Sequence, residues 1–419
     1  MEYIKQDMGS YQLHIIKTDE FKSVTVELIF RQSLTKESIT NQNLLNRILS
    51  LSCEKYPSKV ELSRACQDLY GASITASARG YGQAMAAIYR LRVLNDKYTE
   101  PNNFAKALEL SSTILYQPDI EENHFKEENF EIVRAEYEAS IKTLEEDKRS
   151  YALIRLFEHV GKDSLIGIRG RGYLEELEKI TPDSLYQYYL NMLKHGIVDI
   201  FVIGDVDIEE TKELITKNFK FDTYKPRRLP VYNELLAPRK RIRYIREQTQ
   251  GKETIMAMVY LYSDLTQYDI NYPLALYNVI LGGGSDSLLF SEVRERNSLA
   301  YYIYSSLRIL DGVGVIVGGI SKEQEQKCVT LIKKAIKNLA CKITDEQLEK
   351  AKEYFLSALE EIEESANEII ETYHMMELID ADDLKTRREK IEQVTKEEVL
   401  NVARKISLHT AYFLEGEDE

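Results

Sequence analysis

The chain spells out one order of elements twice, which restricts it to folds built of two like units. In the first half Val24–Phe30 reads as a strand, followed by helical patterns near Leu44–Leu51 and over Lys59–Leu69. Gly71–Ser77 and Ala86–Val93 alternate as paired antiparallel strands do, and a helix near Asn103–Leu115 comes next. In the second half Thr254–Leu261 is the strand, and Tyr272–Leu281 and Ser287–Arg296 are the two helices. Leu299–Leu307 and Val313–Gly319 form the strand pair, and Glu323–Leu339 is the following helix. Each half then enters a long helical segment, Glu121–Thr143 or Thr344–Leu378.

Both halves also end alike. Thr181-Pro182-Asp183 opens a helix with a cap residue and a proline in its first turn, leading to Val198–Ile203 and Gly204. Thr395-Lys-Glu-Glu398 is a capping box whose helix leads to Thr410–Leu414 and Gly416. Thr181 to Gly204 is 23 residues and Thr395 to Gly416 is 21. The predicted class is therefore α+β: two homologous domains, each a mainly antiparallel sheet with helices packed on it. The expected boundaries are 1–224 and 247–419. The stretch 225–246 between them holds Pro226, Pro230 and Pro238, with eight basic residues against Glu234 alone, and reads as an extended linker.

Composition narrows the function classes. With 55 basic and 69 acidic side chains the formal charge is −14, the wrong sign for a general nucleic-acid binder, which must displace counterions with a basic face. No window approaches the ~18 apolar residues of a membrane span, and the first twenty residues lack a signal-type apolar core. Cys53, Cys66, Cys328 and Cys341 form no C-x-x-C pair, so reduced thiols are expected. A cytoplasmic protein with neither nucleic acid nor membrane as partner follows as the expectation.

The stretch 281–304, LGGGSDSLLFSEVRERNSLAYYIY, is the chain's most specific signature. It runs from Gly282-Gly283-Gly284 through an amphipathic helix into a tyrosine-rich strand, with Arg294 and Tyr301 seven residues apart. The glycines lack the Gly-Lys-Ser/Thr ending of a phosphate loop, which excludes a nucleotide-binding reading.

These features resemble the pitrilysin–insulinase–mitochondrial processing peptidase family of zinc peptidases over nearly the whole chain. The glycine run, Glu292-Val-Arg294 and Leu299-Ala-Tyr301 follow the family's second-half pattern. Glu54-Lys-Tyr-Pro-Ser58 and Gly204-Asp205-Val206 follow its first-half pattern. The resemblance implies a clam-shell arrangement of the two domains. It also implies that the tyrosine donates to an oxyanion forming on a scissile carbonyl while the arginine orients the substrate backbone. Fixed donors of that kind are worth ~2.7–4 kcal/mol each in a dry cleft. Gly282, Gly283 and Gly284 would be a flexible, substrate-binding loop beside the cleft, where backbone approaches a peptide closely.

The family's H-x-x-E-H places two imidazoles on one helix face for Zn²⁺ and a carboxylate as general base. Counting back from Glu54, the motif falls on residues 43–47, which read Asn43-Leu-Leu-Asn46-Arg47. Glu136 matches the family's third ligand and is vestigial without the first two. No two of the six histidines have i, i+3 or i, i+4 spacing, and Arg155-Leu-Phe-Glu-His159 is a coincidental half-motif. No metal or other cofactor is expected in this chain. The expected role is the zinc-less subunit of a heterodimeric peptidase: a homologous H-x-x-E-H chain carries the zinc, and Arg294 and Tyr301 serve it in trans on a peptide substrate. An inactive peptidase-fold binding or scaffold protein is the alternative, and a homodimer is the form expected where the partner is absent.

Overall fold

The computed structural model describes residues 1–161, 164–222 and 229–416. The chain forms two compact units. Unit 1 is Met1–Thr143, Ile168–Val231 and Glu364–Glu371; unit 2 is Leu144–Gly167, Tyr232–Glu363 and Thr372–Glu419. The units are therefore interleaved in sequence, whereas the sequence reading cut the chain once, at 225–246. Residues 225–228 of that linker lie outside the described residues. Its end, from Arg243, is not a linker but a strand of the second sheet.

The first sheet holds β1 (Glu2–Asp7), β2 (Gln12–Lys17), β3 (Ser23–Ser33), β4 (Ser73–Tyr81) and β5 (Ala84–Leu94). A two-residue hairpin of β6 (Ile120–Glu121) and β7 (His124–Phe125) stands apart, and β8 (Ile197–Gly204) completes the sheet in the order β1-β2-β8-β3-β5-β4. The second sheet holds β9 (Arg243–Thr249), β10 (Thr254–Tyr262), β11 (Ala300–Arg308), β12 (Val313–Ile320) and β13 (Ile406–Gly416), ordered β11-β12-β10-β13-β9.

Read from their other ends, β4-β5-β3-β8-β2 and β11-β12-β10-β13-β9 are the same topology. In each, the only parallel pair joins the last strand of the half to its outer neighbour, β2 with β8 and β9 with β13. All other pairings are antiparallel. The expected duplication and α+β class are thus found in the strand order itself. The matching ends are found as well. Thr181 Oγ1 accepts from the Ser184 amide at 3.1 Å and Thr395 Oγ1 from the Glu398 amide at 3.4 Å, each opening the helix before the last strand.

Strand β10, Thr-Ile-Met-Ala-Met-Val-Tyr-Leu-Tyr, has no polar alternation, the pattern of a strand covered on both faces. Met256, Met258 and Tyr260 join the core made with the helices of unit 2, such as Glu325–Cys341. Ile255, Ala257, Val259 and Leu261 face a second core, closed by the helix Lys148–Val160 through Ala152, Leu156 and Phe157. That helix lies in the first half of the sequence and was not anticipated there. Its place after the long helix Glu127–Lys142 is matched in the second half by Ala366–Ile379 after Asp345–Glu363.

Polar contacts fasten this helix to the sheet. Glu247 on β9 accepts from Arg155 Nε at 3.0 Å and Nη2 at 2.5 Å, from the Tyr412 hydroxyl at 3.0 Å, and lies 2.9 Å from His159 Nε2. Hydrogen bonding from Arg155, then from His159 and Tyr412, pulls the Glu247 carboxyl down to about 2 against a partial desolvation that raises it. A depressed carboxylate contributes stability that is complete above its unfolded value near 4.5 and is lost as pH falls towards about 2. The Glu247→Gln variant is therefore expected to melt below the parent at pH 7. The gap in thermal midpoint should narrow as pH is lowered through that window.

Candidate functional site

The glycine run is built into the sheet. Residues Val279–Gly283 make one wide helical turn against β11, and a Cβ on Gly282 would lie 2.7 Å from Ser305 Cβ and 2.8 Å from its backbone nitrogen. No side chain fits there, so the turn reaches the strand backbone only as glycine. A buried polar group locks the contact. Ser305 Oγ donates to Asn278 Oδ1 at 2.6 Å, and the Tyr260 hydroxyl reaches the same oxygen at 3.1 Å. Gly283 and Gly284 are half-buried, and Gly284 faces the ring of Tyr354. At Gly282, then, the run is a close-packing surface rather than a free loop.

From this anchor the chain passes through the turn Phe290–Glu295, which buries Val293 and leaves Arg294 exposed. The Arg294 guanidinium lies over the Phe290 ring, 4.8 Å from its centroid. Glu292, a neighbouring carboxylate, is engaged by Arg296 at 2.5 Å. Ser298, at φ +51°, turns the chain back, and the Ser298 and Leu299 amides donate to the Arg294 and Val293 carbonyls at 3.1 and 2.9 Å.

The strand that follows starts with a bulge. Ala300 stands opposite Ile320 but Tyr302 opposite Gly319, so Tyr301 is an extra residue with no partner in the ladder. A bulge re-aims the residue it inserts, and Tyr301 is 81% exposed, the most exposed large hydrophobic side chain among the described residues. Its neighbours are held. Arg149 stacks on Tyr304 at 4.5 Å and Tyr302 at 5.3 Å, and donates from Nε to the Tyr304 hydroxyl at 2.9 Å. Arg294 and Tyr301 thereby line one open depression of about 570 Å³, together with Lys252, Glu253, Gly319 and Ser321.

The degenerate metal position is in unit 1, on the helix Lys36–Leu49. Its side chains do not fit a zinc ion. Asn43 Nδ2 donates to the carbonyls of Ile39 and Gly170, both at 2.9 Å. Asn46 Oδ1 accepts from Gln42 Nε2 at 2.8 Å, and the Arg47 guanidinium lies 5.0 Å from the centroid of the Tyr137 ring. Glu136 is exposed on the neighbouring helix Glu127–Lys142. The residue beside it, Tyr137, is the one that turns inward to Arg47, a geometry that the motif alignment did not foresee. Among the described residues no three His, Cys, Asp or Glu side chains gather as a metal site.

The family described as Peptidase M16 inactive domain matches residues 179–355. A Bacillus subtilis (strain 168) protein described as probable inactive metalloprotease YmfF is 27% identical over 99% of this chain and 97% of its own. A conserved protein from Enterococcus faecalis V583 superposes over 100% of both chains with a TM-score of 0.91 at 27% identity. The peptidase M16 inactive domain from Pseudomonas fluorescens shares the fold, with a TM-score of 0.79 at 16% identity over 100% of this chain and 98% of its own. The chain is thus similar along its length to proteins of the M16 peptidase type that are described as inactive, and it shares their fold.

The two parts of the signature should respond oppositely to substitution. Gly282→Ala forces a Cβ into the Ser305 backbone and is expected to cost about 1–3 kcal/mol, as overpacking does. Tyr301→Phe, at an exposed hydroxyl, should leave stability within about 0.5 kcal/mol of the parent. Urea unfolding of the two variants beside the parent checks both.

Proposed function

We propose that this chain is the non-catalytic subunit of a two-chain zinc peptidase acting on peptides. It lends Arg294 and Tyr301 to a homologous partner that carries H-x-x-E-H. The observation that carries the reading is the bulge at Tyr301. It costs the sheet a ladder position to set a phenol almost wholly in solvent beside an arginine, and among the described residues no hydrogen bond engages that phenol.

The chemistry suits the second half of a peptidase site. A phenol donates one hydrogen bond to the oxygen of a carbonyl that is becoming tetrahedral. A guanidinium over an aromatic ring keeps its in-plane N–H groups free for backbone carbonyls of the substrate. In this reading the zinc and its activated water belong to the partner alone. The pair works in the cytoplasm, with neither nucleic acid nor membrane as partner. Gly283 and Gly284, beside the anchored Gly282, supply backbone to the peptide.

The test is to co-purify the chain with an H-x-x-E-H homologue encoded beside it and to assay peptide cleavage by each alone and by the pair. Cleavage is expected from the pair only. Tyr301→Phe or Arg294→Ala should lower kcat/KM about 100–1,000-fold while the complex still elutes as one species. Failure to associate removes the proposal. Undiminished cleavage by both variants would instead make this chain a scaffold that binds without contributing to the chemistry.

A further inference from the structure

The degenerate metal position in unit 1 has become a gathering of cations. The segment Arg169-Gly-Arg-Gly-Tyr173 lies across the helix Lys36–Leu49 and is held by named bonds. The Gly170 carbonyl accepts from Asn43 at 2.9 Å, the Arg171 carbonyl from the Tyr137 hydroxyl at 2.8 Å, and the Tyr173 amide donates to Thr40 Oγ1 at 3.2 Å. Gly172 sits at φ +82°, and a Cβ there would lie 2.1 Å from the Tyr137 hydroxyl, so the backbone approaches as closely as glycine permits.

Two tyrosine rings are thereby set beneath a group of positive charges. Arg47 lies over Tyr137, while Lys36 and Arg169 lie over Tyr173 at 4.7 and 5.5 Å, and Arg171 projects from the exposed part of the segment. Among the described residues, Lys36, Arg47 and Arg171 have no carboxylate within 4.0 Å. The acids nearest in sequence, Glu37 beside Lys36 and Glu175 four residues from Arg171, form no ion pair with them among the described residues, and Glu176 pairs with Lys179 at 2.9 Å. Next to Arg47, the buried amide nitrogen of Asn46 finds no acceptor. A chain with a net charge of −14 thus holds, among the described residues, three cations without an ion pair around two neighbouring tyrosines.

We propose that this position accepts an acidic peptide segment, with Arg47, Arg171 and Lys36 taking Asp or Glu side-chain carboxylates. Guanidinium groups that rest on aromatic faces keep their planar forks free for carboxylate oxygens. The spacing favours a peptide over a small anion. Lys36 and Arg47 are eleven residues apart on one helix, about 16 Å along its axis, which matches about five residues of extended chain. The inference stands independently of the role of Arg294 and Tyr301, since it concerns the other unit and different residues.

The experiment measures anisotropy of fluorescein-labelled penta-glutamate and penta-glutamine with the full chain at about 0.05 M salt, where surface charges are little screened. Penta-glutamate should bind and penta-glutamine should not. Arg47→Gln and Arg171→Gln should each weaken binding about tenfold or more. Millimolar inorganic phosphate should leave the complex largely intact. Arg171 is on an exposed segment, so its variant stays folded even if Arg47→Gln does not, and an unchanged thermal midpoint confirms this. Equal affinity for the two peptides, no change in Arg171→Gln, or complete displacement by phosphate would each overturn the proposal.

Discussion

Each sheet is completed by the last strand of its half, inserted into the middle. Strand β8 enters between β2 and β3, and β13 between β9 and β10. Until that strand arrives, the two strands it will separate have no ladder to share, so neither half has a finished sheet. The pairings join residues between 144 and 187 positions apart, which makes assembly slow relative to the hairpins. The capped helices before β8 and β13 deliver them, which explains why those two endings are the best-preserved echo of the duplication in the sequence. The Glu247 cluster depends on this insertion too, because Tyr412 reaches Glu247 only once β13 lies beside β9.

The candidate site uses the other end of the same sheet. Strand β11 is at the edge, and edges are where a ladder can afford an extra residue. The bulge that frees Tyr301 lies between two rigid supports, the Gly282–Ser305 contact on one side and the Arg149 stack on Tyr302 and Tyr304 on the other. A functional side chain set on an irregular position is thus kept in place by regular neighbours. The degenerate metal position in unit 1 shows the opposite outcome. There Asn43, Arg47 and Tyr137 are drawn into contacts with a backbone segment and with one another.

Much of this was legible in the chain, and the gaps have physical causes. Strands with clear alternation or unbroken apolar runs, such as Val24–Phe30 and Thr254–Leu261, fall within β3 and β10. The helix expected near Leu44–Leu51 begins at Lys36, because its first two turns are polar and only the Thr35 cap marks them. The segment Glu121–Thr143 opens with a small hairpin before its helix starts at Glu127, and Thr344–Leu378 is two helices broken near Ser365. Arg294 and Tyr301 could be named from their motif, but the register slip that exposes the tyrosine could not. A bulge is a property of two strands, and the sequence of one does not contain it. Tyr137 and the Arg169–Tyr173 segment were missed for a similar reason: their meaning comes from a contact across more than thirty residues.

The helix Lys148–Val160 carries a consequence for the idea of two separable halves. It comes before β8 in the chain yet serves as the cover for one face of β10 and β12. A fragment beginning after the proline-containing stretch would keep the apolar row Ile255, Ala257, Val259, Leu261, Val313, Val315 and Val317 but lose Ala152, Leu156 and Phe157 above it. Such a fragment would present a bare hydrophobic sheet face to solvent, the kind of surface that drives aggregation. The gene duplication written in the strand order therefore no longer corresponds to two independent folding pieces. One repeat has lent the other a lid, and the chain can be divided in sequence but not in solution.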